Sequence, residues 1–267
     1  MQFIKYHGLG NDFVLLEGTV EELPFISSDL ARAVCARGEG VGADGVMRVR
    51  PSEQADLEME LLNADGSTPE MCGNGIRCLV KYAVEEMGLE HQPLRISTGA
   101  GVRACTYSRG ADGVVTSVRV EMGPATVTEL EVEGISGYKV DLGNPHFVIF
   151  ESGAVSGERA TYDYAGVGAH LSNHPTFPEG ANIEFVGQPE GDLFDVVVYE
   201  RGCGLTRACG TGATAVIAAA VHTGRAAADE PMRVRLPGGV LAIEVTADLS
   251  QTWMTGPTVE VYRGSLS

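Results

Sequence analysis

The chain has 267 residues, of which 44% are hydrophobic and 21% charged, enough for one large domain or two small ones, each with a core. Its formal charge of −17 sets a field that repels nucleic-acid phosphates and anionic lipid, so neither a nucleic-acid nor a membrane partner is expected. The longest near-unbroken apolar run, residues 213–221, is too short for a membrane span.

In chain order, Leu9-Gly10-Asn11 is followed by an apolar run, residues 13–16, that reads as a strand. Residues 28–37 read as a lesser helix with Ser27 or Ser28 as N-cap. Residues 55–62 are β-rich and bounded by turn residues. Cys72-Gly73-Asn74-Gly75 opens a helix running to about Met87, with Gly88 as the stop. Further strands are expected at 114–121, 147–150 and 194–199. Cys209-Gly210-Thr211-Gly212 opens a second helix, ending near Thr223 before Gly224. From Ala213 to Val221 this helix is apolar all round, the pattern of an element buried on every side.

The order repeats. Leu9-Gly10-Asn11 returns as Leu142-Gly143-Asn144, and each precedes a strand. The CGxG at 72 returns at 209, and Met122-Gly123-Pro124 is answered by Thr255-Gly256-Pro257. Asn63 lies nine residues before Cys72, and Glu200 nine before Cys209. Several matches in one order at nearly constant offset imply two homologous halves. The expected fold is α/β of the α+β kind. It comprises two pseudo-symmetric domains, 1–127 and 128–267, each a β-sheet or barrel around a central buried helix. The last strand is free to pack back on the first half.

A helix start presents unpaired N–H groups and a partial positive charge, so each CGxG suits a carboxylate. The same dipole is expected to lower the pKa of a thiol placed there. Two such thiols flanking one carboxylate suit inversion of the carbon beside it, because inversion needs a base on one face and an acid on the other. A single cysteine among small residues is ordinarily core packing; the symmetric pair, with polar residues at matched distances, points to chemistry. Cys78 is expected in the core and Cys203 to be structural, while Cys35 and Cys105 have no partner pattern. The opening residues lack the blocks of a secretory signal, so a cytoplasmic location with reduced thiols is expected. His170 and His174 are four apart, but Leu171 stands where a zincin needs Glu, and no metal site is expected.

Five segments carry a resemblance: residues 6–13 (YHGLGNDF), 63–67 (NADGS) with 71–78 (MCGNGIRC), 143–146 (GNPH), 199–202 (YERG) and 208–212 (ACGTG). Together they resemble the diaminopimelate epimerases over nearly the whole chain. The resemblance implies two sheet-and-helix domains with the site in the cleft between them. It implies interconversion of LL- and meso-2,6-diaminopimelate without pyridoxal phosphate, metal or other cofactor, in lysine and peptidoglycan precursor synthesis. By the same resemblance Cys72 and Cys209 are the acid/base pair, assisted by His146 and Glu200. Gly73, Asn74, Gly210 and Thr211 would hold the reacting carboxylate. Asn11, Asn63, Asn144, Asn182 and Arg201, with Glu200 alongside, would bind the remaining amino and carboxyl groups. One departure is Gly45, where many members carry Gln after the Asp.

The residues read alone leave two other functions open. One is a proline, hydroxyproline or histidine racemase on the same scaffold, although proline racemases usually show His where Asn74 stands. The other is a module that only binds a zwitterionic amino acid. Lysine is scarce (Lys5, Lys81, Lys139) and none has a recognisable pyridoxal-phosphate setting. A homodimer is left open.

Overall fold

The structure, a computed structural model, describes residues 1–18, 25–69, 71–150 and 162–266. The chain forms two compact units, Met1–Val120 with Gly256–Ser267, and Glu121–Thr255.

The first unit contains β1 (Gln2–Gly8), β2 (Asn11–Leu16), α1 (Ser28–Cys35), β3 (Gly45–Arg50), β4 (Leu57–Asn63), α2 (Gly73–Glu85), β5 (Leu94–Thr98), β6 (Gly101–Arg109) and β7 (Val115–Gly123), which leads into the second unit. The second contains β8 (Thr126–Val132), β9 (Ile135–Asp141), β10 (Pro145–Phe150), α3 (Tyr164–Ser172), β11 (Asn182–Val186), β12 (Leu193–Glu200), β13 (Gly204–Leu205), α4 (Gly210–His222), β14 (Met232–Leu236), β15 (Gly239–Val245) and β16 (Thr252–Pro257). The final strand, β17 (Val259–Ser265), belongs to the first unit and pairs antiparallel with β1.

The two sheets have the same wiring. In the first, β17-β1-β2-β3-β4-β5-β6-β7 are neighbours, antiparallel except at β2–β3 and β4–β5. In the second, β8-β9-β10-β11-β12-β14-β15-β16 are neighbours, antiparallel except at β10–β11 and β12–β14. Each parallel step needs a crossover connection, and a helix lies in every one of them: α1, α2, α3 and α4 in turn. β17 occupies in the first sheet the place that β8 occupies in the second. The limits of the units therefore differ from those read off the repeat: residues 121–127 go with the second unit and 256–267 with the first. The motifs fix the offset between halves, but strand pairing fixes where each half ends.

α2 packs on β1 to β4, while α1 closes another core around Phe3, Val14, Leu16, Val34 and Val46. α1 is N-capped by Ser27, whose side chain accepts from Leu30 N, and it stops at Cys35 rather than Arg37. α4 is buried from Gly210 to Ala220 and packs on β8 to β11 and β15. Its alanines favour helix, and Val216 and Ile217, with no exposed surface, each contribute roughly 1.5–3 kcal/mol by burial. A second cluster in this unit gathers Phe147, Leu171, Phe177, Ile183 and Phe185 under α3.

Candidate active site

In each unit a cysteine is the N-cap of the buried helix. Cys72 and Cys209 are extended, and their sulfurs accept from the amides of Gly75 (3.3 Å) and Gly212 (3.4 Å). The second glycine of each CGxG leaves room for that sulfur, since a Cβ at either position would lie 3.3 Å from it. Cys209 is buried and Cys72 half-buried. Gly73 and Gly210 are the first helical residues, so their amides belong to the unpaired set at a helix start.

In the first unit the β1–β2 connection has only two residues, Leu9 (φ 59°) and Gly10 (φ 81°) between paired Gly8 and Asn11. Positive φ at both positions is the twist a two-residue hairpin requires. This turn places Asn11 against α2. Asn74 Nδ2 donates to Asn11 Oδ1 (3.0 Å), and Asn11 Nδ2 donates to Asp44 Oδ2 (2.7 Å). Asp44 and Asp12 are both gripped by Arg37, and Asp12 also pairs with Lys5 at 2.8 Å. The paired cations outweigh burial and hold the Asp12 carboxyl below its ordinary range. Asn63, at the end of β4, donates to Ser67 Oγ at 3.0 Å, and Asp65 fixes Ser67 in turn. Gly45 admits no side chain: a Cβ would lie 2.9 Å from the Leu62 carbonyl and 3.2 Å from Phe13.

In the second unit the polar groups gather around Cys209. His146 on β10 is fully buried, with Nδ1 2.8 Å from Glu184 Oε1 and Nε2 3.1 Å from Asn144 Oδ1. Asn144 Nδ2 reaches Thr211 Oγ1 at 3.4 Å, which in turn lies 3.5 Å from the Cys209 sulfur. Glu200 accepts from the Thr206 hydroxyl and hydrogen-bonds Cys209. Asn182 Oδ1 accepts from the Arg201 amide (2.9 Å), and the Arg201 guanidinium donates to the Glu179 carbonyl (2.6 Å). Gly180 makes space for that side chain, since a Cβ there would meet Arg201 Cδ at 2.8 Å.

The expected lowering of the thiol pKa fails at Cys209. Burial raises it well above the ordinary value, and the carboxylates of Glu200 and Glu184 raise it further. Burial of the thiol and the two neighbouring carboxylates together outweigh the helix start. Burial likewise lifts the Glu200 carboxyl. Cys78 is core as expected, and burial pushes its thiol up to about 12. Cys203, expected to be structural, is exposed in the turn after β12. His170 and His174 both face Glu133, at 2.8 and 3.4 Å, and no group among the described residues is suited to hold a metal.

Two site residues escaped the sequence. Glu184 has no exposed surface, lies beside Cys209 and would lie 2.7 Å from a Cβ at Gly212. The available signal was a carboxylate within a strand whose neighbours, Ile183 and Phe185, are apolar. Arg77, also fully buried, stands beneath the start of α2. Its signal was a cation on the core helix itself.

The fold is shared with solved structures: the chain aligns over 100% of its length with 92% of a probable proline racemase from Agrobacterium radiobacter K84 (TM-score 0.73, 18% identity). It aligns equally with 99% of a PhzF-family phenazine biosynthesis protein of Bacillus anthracis (TM-score 0.74, 17% identity). The particular family comes from sequence. The diaminopimelate epimerase family profile matches residues 3–128 and 138–261, and the chain belongs to that family. It is 40% identical to the diaminopimelate epimerase of Desulfitobacterium hafniense and 42% identical to that of Synechococcus elongatus. Each alignment takes in 100% of this chain and 98% of the relative. The chain is accordingly an epimerase.

Proposed function

We propose that the chain interconverts LL- and meso-2,6-diaminopimelate by a two-base mechanism in which Cys72 and Cys209 act on opposite faces of one α-carbon. A thiolate takes the α-proton, and the opposing thiol delivers another from the far side. As the proton leaves, charge moves onto the carboxylate oxygens, where amides at the starts of α2 and α4 stabilise it. Asn144 and Thr211 orient that carboxylate on the second unit, and Asn11 and Asn74 on the first. His146 and Glu200 carry protons to and from Cys209. Arg201, whose planar fork matches two oxygens, takes the distal carboxylate, with Asn63 and Asn182 satisfying the amino groups.

The observation that carries this reading is the pair of cysteines capping equivalent helices of equivalent sheets. Cofactor independence draws support from the lysines: Lys5 pairs with Asp12, Lys81 with Glu85 and the Val115 carbonyl, and Lys139 lies exposed on β9, so none of the three amines is set in a pocket for a Schiff base. The reaction falls within lysine and peptidoglycan precursor synthesis in the cytoplasm. Purified protein assayed with a chelator and without pyridoxal phosphate should epimerise diaminopimelate, and Cys72→Ala and Cys209→Ala should each abolish turnover. Near-wild-type turnover in either variant removes the mechanism.

A further inference from the structure

Arg77 follows Gly73 by one helical turn and has no exposed surface. Its guanidinium donates to the Gly73 carbonyl (3.3 Å), to Asn74 Oδ1 (2.9 Å) and to the Pro257 carbonyl (3.1 Å). Gly8 exists at its position to admit this group: a Cβ there would lie 2.6 Å from Arg77 Nη2. A guanidinium only donates, so Asn74 must turn its carbonyl oxygen inward and its NH2 towards Asn11. At the far end Asp44 only accepts, so Asn11 must turn its NH2 towards Asp44. A ladder with a donor-only cation at one end and a carboxylate at the other has a single sense. Neither amide can flip.

The second helix lacks this device. Thr214 occupies the position matching Arg77, and its hydroxyl donates to the Gly210 carbonyl at 2.9 Å. Carboxylates face Cys209, whereas at the start of α2 the Arg77 guanidinium faces Cys72. The titratable groups facing Arg77 are the thiols of Cys72 and Cys78; Cys78 in turn faces Lys81 and the Thr258 hydroxyl.

We infer that Arg77 is a positioning residue, which locks the Asn74 and Asn11 amides in one sense and sets a buried positive charge behind Cys72 that favours its thiolate. This rests on Cys72 acting as one of the two bases. Burial draws the Arg77 guanidinium down to about 10 against the opposing pull of the Cys78 and Cys72 thiolates, so its charge persists at neutral pH.

Two substitutions separate the roles. Arg77→Gln keeps an amide donor and loses the charge. Arg77→Lys keeps the charge and loses the fork. The rate of Cys72 alkylation by iodoacetamide is followed against pH in the full-length protein, located by peptide mapping, with circular dichroism melts confirming the fold. Arg77→Gln should move the midpoint up by about one unit, an approximately tenfold slower reaction at neutral pH. Arg77→Lys should keep the wild-type midpoint while raising KM for diaminopimelate more than it lowers kcat. A folded Arg77→Gln whose profile superimposes on wild type overturns the inference; should that variant not fold, an unchanged KM in Arg77→Lys overturns it. The alkylation profile needs no substrate. Wild-type protein that alkylates as expected but does not epimerise diaminopimelate would contradict the functional reading alone.

Discussion

Gly75 and Gly212 hold the same place in the repeat, yet alanine should act very differently at the two. A Cβ at Gly75 would touch the Cys72 sulfur at 3.3 Å and Leu61 at 3.5 Å, close but accommodated by small shifts. A Cβ at Gly212 would lie 2.7 Å from Glu184 Oε1, a buried oxygen already bonded to His146 at 2.8 Å. Glu184 must move, and the charge-assisted bond to His146 is lost at a cost of about 1.5–3 kcal/mol. Crowding in a close-packed interior adds about 1–3 kcal/mol. Replacing a helical glycine returns up to ~1 kcal/mol in both variants. Gly212→Ala should therefore lose about 2–5 kcal/mol, and Gly75→Ala should stay within about 1 kcal/mol of wild type. At roughly 2–4 °C per kcal/mol, differential scanning calorimetry should place the Gly212→Ala transition about 4–20 °C lower. Equal melting temperatures for the two variants would refute the assigned place of Glu184.

Three further outcomes follow from the same geometry. At neutral pH iodoacetamide should label exposed Cys203 and half-buried Cys72 before Cys209, whose thiol is held protonated by burial and two carboxylates; peptide mapping that finds Cys209 labelled first contradicts this. Glu200→Gln removes one of the charges that raise the Cys209 pKa, so Cys209 should alkylate faster at a fixed mildly alkaline pH while α-proton exchange slows. An unchanged labelling rate would sever Glu200 from the thiol. Arg201→Met should lower kcat/KM for diaminopimelate by roughly 10–150-fold, the loss of a charge-assisted bond, and free lysine should be a very poor wild-type substrate. Comparable turnover of lysine and diaminopimelate would reassign Arg201.

The repeat was legible because its markers are short and position-specific: a turn, a cysteine cap and a Gly-Pro step at matched offsets. Both core helices start at the expected residues, since a cysteine N-cap followed by glycine marks a start as firmly as Ser27 does for α1. The return of the last strand to the first half was anticipated, but the residue limits of the units were not legible. They depend on β17 pairing with β1 more than 250 residues away, which no local pattern encodes. Of the candidate site, the resemblance named residues that adjoin a cap or turn, such as Asn11, Asn74, Asn144 and Thr211. Glu184 and Arg77 were not, because each acts from the middle of a buried element. A periodicity reading takes such positions as packing. The Cys209 pKa went wrong for the same reason: the helix start is local and visible, but the carboxylates opposing it arrive from β11 and β12.

In the proposed mechanism two different thiols, one on each face, exchange the α-proton. The decisive measurement is a single turnover of LL-diaminopimelate in D2O, with mass and stereochemistry of product and recovered substrate read together. With two thiols, meso product carries one deuterium at the inverted carbon from the first turnover, while recovered LL-substrate remains largely unlabelled. Product that retains the original α-proton would mean one base serving both faces and would contradict the account.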